Sequence, residues 1–227
     1  LKGISAAVND GEFVAIMGPS GSGKTTLLNV LSGFIKADAG RVLLDGQDVL
    51  SGNEDELAEI RQRKLGFVFQ DFMLLGGLSV SENIFLPQII ARKKTKRMEE
   101  DTTKLLEIFG IAGIAGKYPA EISGGQQQRA SIARALSNRP SIILADEPTG
   151  NLDSKSGATV IKAFVDAKEA MGATIFMVTH DAFAASHCDR VIALKDGMIY
   201  GELVRQGPPK VFINELLDFT RKVNGDG

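Results

Sequence analysis

Nine residues, GPSGSGKTT at positions 18 to 26, have the composition and order needed to hold a polyphosphate. They fit GxxxxGK[ST] through Gly18, Gly23, Lys24 and Thr25, with Pro19, Ser20, Gly21 and Ser22 completing the loop and Thr26 following it. Glycines let backbone N–H groups turn toward phosphate oxygens with no Cβ in the way, and a helix starting at the lysine adds its positive dipole end. Lys24 would supply a point charge to β- and γ-phosphates, and Thr25 a hydroxyl for Mg2+. A second group ends the apolar run SIILADEP, where Asp146 is placed to hold the metal ion and Glu147 to take a proton from an attacking water. Gln70 after LGFVF and His180 after TIFMVT end apolar runs in the same manner. If these runs are parallel neighbours of the one ending at Gly18, all four sets of side chains converge on one γ-phosphate.

The supporting fold is legible as short apolar runs alternating with helical stretches: FVAIM, RVLLD and LGFVF, then SIILADEP, TIFMVTH and RVIALKDG. These read as strands buried in an α/β sheet. Between Asp71 and about Tyr118 the strand-like runs stop, and SENIFLPQIIARK and RMEEDTTKLLEIFG carry a helical period, which predicts a helical insert on the α/β core. Within it the basic run ARKKTKR, residues 91 to 97, reads as a solvated helix end and turn. The tail FINELLDFTRKV is helical in period, with Phe212, Leu216 and Phe219 on the face expected to pack on its own domain.

Composition excludes several classes. With 26 Lys+Arg against 28 Asp+Glu there is no polyelectrolyte signature, and no nucleic-acid partner is expected. One cysteine, Cys188, cannot form an internal disulfide, and with His180 and His187 it is too little for a structural zinc site. No apolar run approaches the roughly 20 residues that span a bilayer, so the chain reads as cytoplasmic and any dealings with a membrane are expected to pass through another protein. The chain opens at Leu1 without a Met, which leaves room for an upstream segment.

A further stretch, SGGQQQRASIARAL at 123 to 136, has no carboxylate, His or Cys, yet sets a Ser and two glycines at the start of a helix. Ser123 can cap it, the glycines permit close approach of a ligand, and Ile132, Ala133 and Leu136 would anchor it by one face.

Taken together, GPSGSGKT, Gln70, SGGQ, IILADE, GNLD at 150 to 153 and His180 stand in the order and approximate spacing of ABC-type ATPases, and the resemblance covers essentially the whole chain. It implies a P-loop NTPase core of mainly parallel sheet with flanking helices, an antiparallel β portion, a helical subdomain near residues 71–140 and a helical tail at 205–227, all within one domain spanning 1–227. It implies ATP and Mg2+ as cofactors, the metal held by Thr25, Gln70 and Asp146, with Glu147 and His180 catalytic. It further implies a homodimer closing on two ATP head to tail, in which Ser123, Gly124, Gly125 and Gln126 of one chain meet the γ-phosphate on the other chain's P-loop, and Asp153 lies at the interface. The implied partner is an integral membrane permease, which would hold the ATPase at the cytoplasmic side of the membrane. Family members usually carry an aromatic residue upstream of the P-loop to stack on adenine, and none but Phe13, assigned to a strand, precedes Gly18 here. Preference for ATP over GTP therefore rests on the resemblance alone.

ADEPTGNLD and FVFQDFMLL resemble the ATPases of lipoprotein release, macrolide export and bacitracin-type peptide resistance, and the closing portion AASHCDRVIALKDGMIY looks most like the last of these. A cell-division relative that relays force to a periplasmic enzyme stays open. A chromosome-maintenance member would need a long coiled coil between Gln70 and Ser123, and a ribosome-associated member would need a second cassette; neither is present.

Overall fold

A computed structural model describes residues 1–225. Strand β1 (Phe13–Met17) leads into helix α1 (Lys24–Leu31), and a hairpin of β2 (Leu43–Leu44) and β3 (Gln47–Asp48) precedes α2 (Glu54–Lys64) and β4 (Leu65–Val68). Three helices then follow without a strand: α3 (Val80–Ile90), α4 (Thr95–Ile108) and α5 (Gly124–Leu136). Strand and helix alternate again through β5 (Ile142–Asp146), α6 (Ser154–Met171), β6 (Ile175–Val178), α7 (Ala182–Ser186) and β7 (Arg190–Lys195). The fold closes with β8 (Met198–Val204) and α8 (Pro209–Asn224). The helical part of the tail thus starts at Pro209 rather than 205, and residues 226 and 227 lie outside the described residues.

The main sheet has the order β4-β5-β6-β1-β7-β8, parallel throughout except that β8 runs antiparallel to β7. Because side chains alternate along a strand, each apolar run supplies two cores. Phe13, Ala15, Met17, Ile143, Ala145, Ile175 and Met177 point to one face, covered by α3 to α6 and α8. Val14, Ile16, Leu144, Phe176 and Val178 point to the other, against Leu27 and Leu28 of α1. Continuous rather than alternating hydrophobicity follows from this two-sided cover. The start of β1 is pinned electrostatically: the Phe13 N–H donates to Asp189 Oδ2 at 2.8 Å, and Lys168 Nζ donates to the same carboxylate at 2.6 Å. Burial works to raise the Asp189 pKa, but these donors and Arg205 outweigh it and hold the carboxyl below its usual range.

Two sequence expectations need correction. RVLLD is not a buried strand of the main sheet: Leu43 and Leu44 pair with Gln47–Asp48 in a separate antiparallel hairpin, and Leu43 is 58% exposed. A two-residue strand cannot be told from a core strand by its apolar letters, because the pairing partner is what decides. ARKKTKR is not solvated throughout, since Lys93 Nζ donates to the Ser137 carbonyl at 2.8 Å, docking the α3–α4 turn on the end of α5, and burial lowers its pKa. The tail expectation agrees with the fold: Phe212 and Leu216 are buried on the core, and Phe219 lies against Gly201 of β8.

Candidate active site

The site is built at the carboxyl ends of the parallel strands, where the sheet order sets the loops after β4, β5, β6 and β1 along one edge. The loop after β1 crosses from Gly18 to Gly23, with Gly18, Gly21 and Gly23 all at positive φ (150°, 78° and 101°). Gly18 is required twice over, because a Cβ there would also run into the Leu194 carbonyl oxygen. Gly18→Ala should therefore destabilise the fold by about 1–3 kcal/mol through strain alone. A lowered thermal midpoint together with loss of nucleotide binding is expected, and unchanged values for both would contradict this account of the loop.

Helix α1 starts bare: its N-cap is Gly23, no side chain caps it and no acidic residue lies in its first turn. Among the described residues no side chain answers its first N–H groups and dipole. Lys24 Nζ folds back to donate to the carbonyls of Gly18 and Pro19 at 2.9 and 3.0 Å, and the buried Ser22 Oγ has no hydrogen-bond partner. Such a loop of orphaned donors suits an oxyanion. Thr25 and Thr26 stand exposed at the mouth with Ser20 and Gly21.

Two strands away, β5 ends on a half-buried Asp146. Its pKa is raised, first by burial and then by the Glu147 charge, with Lys24 pulling the other way. Glu147 itself adopts φ 45°, an uncommon conformation for a residue with a side chain. Its N–H still donates to Val178 of β6 at 2.9 Å, while its carbonyl accepts from Gly150 N–H at 3.0 Å as the chain turns. Glu147 Oε2 lies 2.9 Å from His180 Nδ1 and also accepts from the His180 N–H at 3.3 Å. His180 makes this contact through Nδ1, on a side chain that is 73% exposed.

The four strand-end groups do not all touch. Lys24, Asp146, Glu147 and His180 are coupled in sequence by charge and contact. Gln70 makes its side-chain bond elsewhere, its Nε2 donating to Asn151 Oδ1 at 2.8 Å. β4 is an edge strand, but it pairs directly with β5, so Gln70 follows the strand next to the one that ends in Asp146 and Glu147.

Ser123 caps α5 in a reciprocal pair, accepting from Gln126 N–H while the Gln126 side chain accepts from Ser123 N–H. Ile132, Ala133 and Leu136 are buried, as a helix anchored by one face requires. The two glycines meet their own chain closely. A Cβ on Gly124 would lie 3.0 Å from Leu152 and 3.4 Å from Phe72, and one on Gly125 would lie 3.2 Å from Ser156. Close packing within the chain is thus a reason for glycine there, beside the close approach of a ligand. Asp153 is exposed and N-caps α6, accepting from the N–H groups of Lys155 and Ser156.

Sequence reasoning missed the polar bonds that fix this edge. Gln128, fully buried on α5, donates to the carbonyls of Phe69 and Pro148 at 3.0 and 2.7 Å, and Arg134 donates to those of Phe72 and Met73. The segment leaving β4 is thereby strapped to the helix that Ser123 caps. A glutamine among buried positions of an amphipathic helix was the available signal.

The family model for the ABC transporter matches residues 1–150. The bacitracin export ATP-binding protein BceA of Halalkalibacterium halodurans is 52% identical over 203 residues, covering 89% of this chain and 80% of that protein. The lipoprotein-releasing system ATP-binding protein LolD of Porphyromonas gingivalis is 42% identical, covering 89% and 92%. A dimeric post-hydrolysis structure of the ATP-binding cassette MJ0796 bound to ADP and Pi superposes with a TM-score of 0.80 at 41% identity, covering 91% of each chain. With a phosphate loop, an acidic strand end and a capped signature helix in one fold, and relatives of this identity, the chain belongs to the ABC transporter family as one of its ATP-hydrolysing subunits.

Proposed function

We propose that the chain works as a head-to-tail homodimer that hydrolyses ATP to drive a membrane permease, serving resistance to or export of peptides of the bacitracin class. The contact of Glu147 with His180 beside the phosphate loop carries the hydrolytic part of this reading. Glu147 takes the proton of the attacking water, and His180 fixes the carboxylate's direction and presents Nε2 toward the γ-phosphate. Lys24 leaves the loop carbonyls to pair with the β- and γ-phosphates when ATP enters.

The donor set also fits Mg2+. Thr25, Asp146 and Gln70 offer hard oxygens, and among the described residues no group of three or more His, Cys, Asp or Glu could hold a metal ion unaided. That suits an ion which arrives with the nucleotide and keeps most of its ligands from phosphate and water. Bound there, it would neutralise charge on the β- and γ-oxygens. A half-buried carboxylate beside a second carboxylate costs stability when ionised. The folded pKa of Asp146 is raised, so folding favours its protonated form; that contribution is complete below the unfolded pKa and is lost as pH rises through the folded one. Asp146→Asn should therefore raise the thermal midpoint of the nucleotide-free protein, with a gap that opens as pH climbs above about 4, while abolishing Mg2+-dependent nucleotide binding. A gap that narrows with rising pH would contradict the assignment.

In the proposed dimer the Ser123-capped terminus with Gly124, Gly125 and Gln126 meets the partner's nucleotide, and Asp153 lies at the interface. Residues 71–140 act as the subdomain that faces the permease. No helix among the described residues is long and apolar enough to cross a membrane, in keeping with attachment to the cytoplasmic side through that permease. Gln70 lies at the junction of core and subdomain. Gln70→Ala should cut permease-stimulated turnover more than basal ATPase activity; equal loss of both would leave Gln70 a purely local role.

The likeness to LolD, at 42% identity, favours a second reading in which the permease releases lipoproteins or relays force without exporting a peptide. Identifying the permease that co-purifies from membranes separates the two.

A further inference from the structure

Gln70 is the one proposed metal ligand whose side chain has two chemically different ends, and only Oε1 can bind a cation. Its surroundings fix which end is available. Gln70 Nε2 donates to Asn151 Oδ1 at 2.8 Å, and Asn151 Nδ2 in turn donates to Asp71 Oδ1 at 2.7 Å, with the Gln70 carbonyl 3.5 Å away. A carboxylate only accepts, so Asp71 compels Asn151 to turn its NH2 toward it. The Asn151 oxygen must then face Gln70, and Gln70 must answer with its own NH2. The reverse orientation would set two acceptors 2.7 Å apart. The polarity of the Gln70 amide is thus dictated by a carboxylate two side chains away, and Oε1 is left outside the relay. The amide packs over Gly150, where any side chain would displace it, since a Cβ there would lie 2.8 Å from Nε2 and 3.0 Å from Cδ. Meanwhile Gln128 and Arg134 hold the backbone on both sides of Gln70, through Phe69 and Phe72.

We propose that Asn151 and Asp71 are positioning residues that orient the Gln70 carboxamide so that its oxygen is presented to the nucleotide-bound cation. The inference rests on the assignment of Gln70 as a metal ligand. Neither residue touches the reacting atoms, and both stand exposed in loops, so substitution there leaves the core intact.

Charge exchange tests it. In Asn151→Asp the carboxylate can still accept from Gln70, but it now opposes Asp71 and the relay is forced apart. Adding Asp71→Asn restores a donor at position 71 and with it the original polarity toward Gln70. The readout is Mn2+ affinity, titrated by electron paramagnetic resonance with a non-hydrolysable ATP analogue, which requires no turnover. Asn151→Asp should weaken Mn2+ binding by about tenfold or more, the usual effect of losing a residue that orients a metal ligand. The double variant should recover toward wild type, and thermal midpoints should stay close throughout. Weakened binding in Gln70→Ala but wild-type binding in Asn151→Asp would overturn the relay, as would failure of the double variant to recover. Wild-type Mn2+ binding in Gln70→Ala would instead remove the metal role of Gln70 itself, and the relay with it.

Discussion

Glu147→Gln should lower ATP turnover by roughly 10²–10⁴-fold, the range typical of a lost general base, while leaving nucleotide binding intact. The substitution keeps the shape of the side chain and an oxygen able to accept from His180 Nδ1 and from the His180 N–H, which lie 2.9 and 3.3 Å from Oε2. The backbone strain at φ 45° is likewise common to both side chains, so stability should change little. What is lost is the basic lone pair and the negative charge beside Asp146, whose pKa is raised by burial first and by that charge second, so the repulsive part is relieved. With hydrolysis blocked and binding spared, an ATP-dependent dimer should accumulate on gel filtration. Near-wild-type turnover would remove Glu147 from the role.

The candidate site residues are the legible part of this chain, because several sit where an apolar run ends on a polar side chain, as in IILADE and IFMVTH. Ser123 was legible for a related reason: its reciprocal bond with Gln126 is local, spanning three residues. Alternation of strand and helix predicted the parallel sheet, but not that β1 lies between β6 and β7 or that β4 forms an edge. Strand order depends on pairings across more than a hundred residues, such as Phe13 with Ile175, which no local pattern encodes. The bond from Gln70 to Asn151 is likewise set by the fold, since it joins loops that follow β4 and β5, about eighty residues apart in the chain. RVLLD misled because two apolar residues in an exposed hairpin look like the edge of a core strand. Gly124 and Gly125 carry a packing constraint against Leu152, Phe72 and Ser156 that appears only when α5 is seen against the segment after β4 and the start of α6.

Two inactive proteins should recover activity when combined. Lys24→Ala removes the phosphate charge, and Ser123→Arg sets a bulky cation on the N-terminus of α5, so each alone should be dead. Ser123→Arg also loses the helix cap, worth about 1 kcal/mol, which a folded domain can bear. If every site takes its P-loop from one chain and its SGGQ from the other, a dimer of the two variants has one site ruined twice and one intact. Random assortment makes half of all dimers of this kind, hence about a quarter of the wild-type number of working sites. ATPase activity of the equimolar mixture, followed together with ATP-induced dimerisation, is the most direct measurement of this architecture. Recovery toward a quarter of wild-type activity is the predicted result; a mixture of folded, subunit-exchanging proteins that regains neither turnover nor nucleotide-dependent dimers would contradict a site shared between two chains.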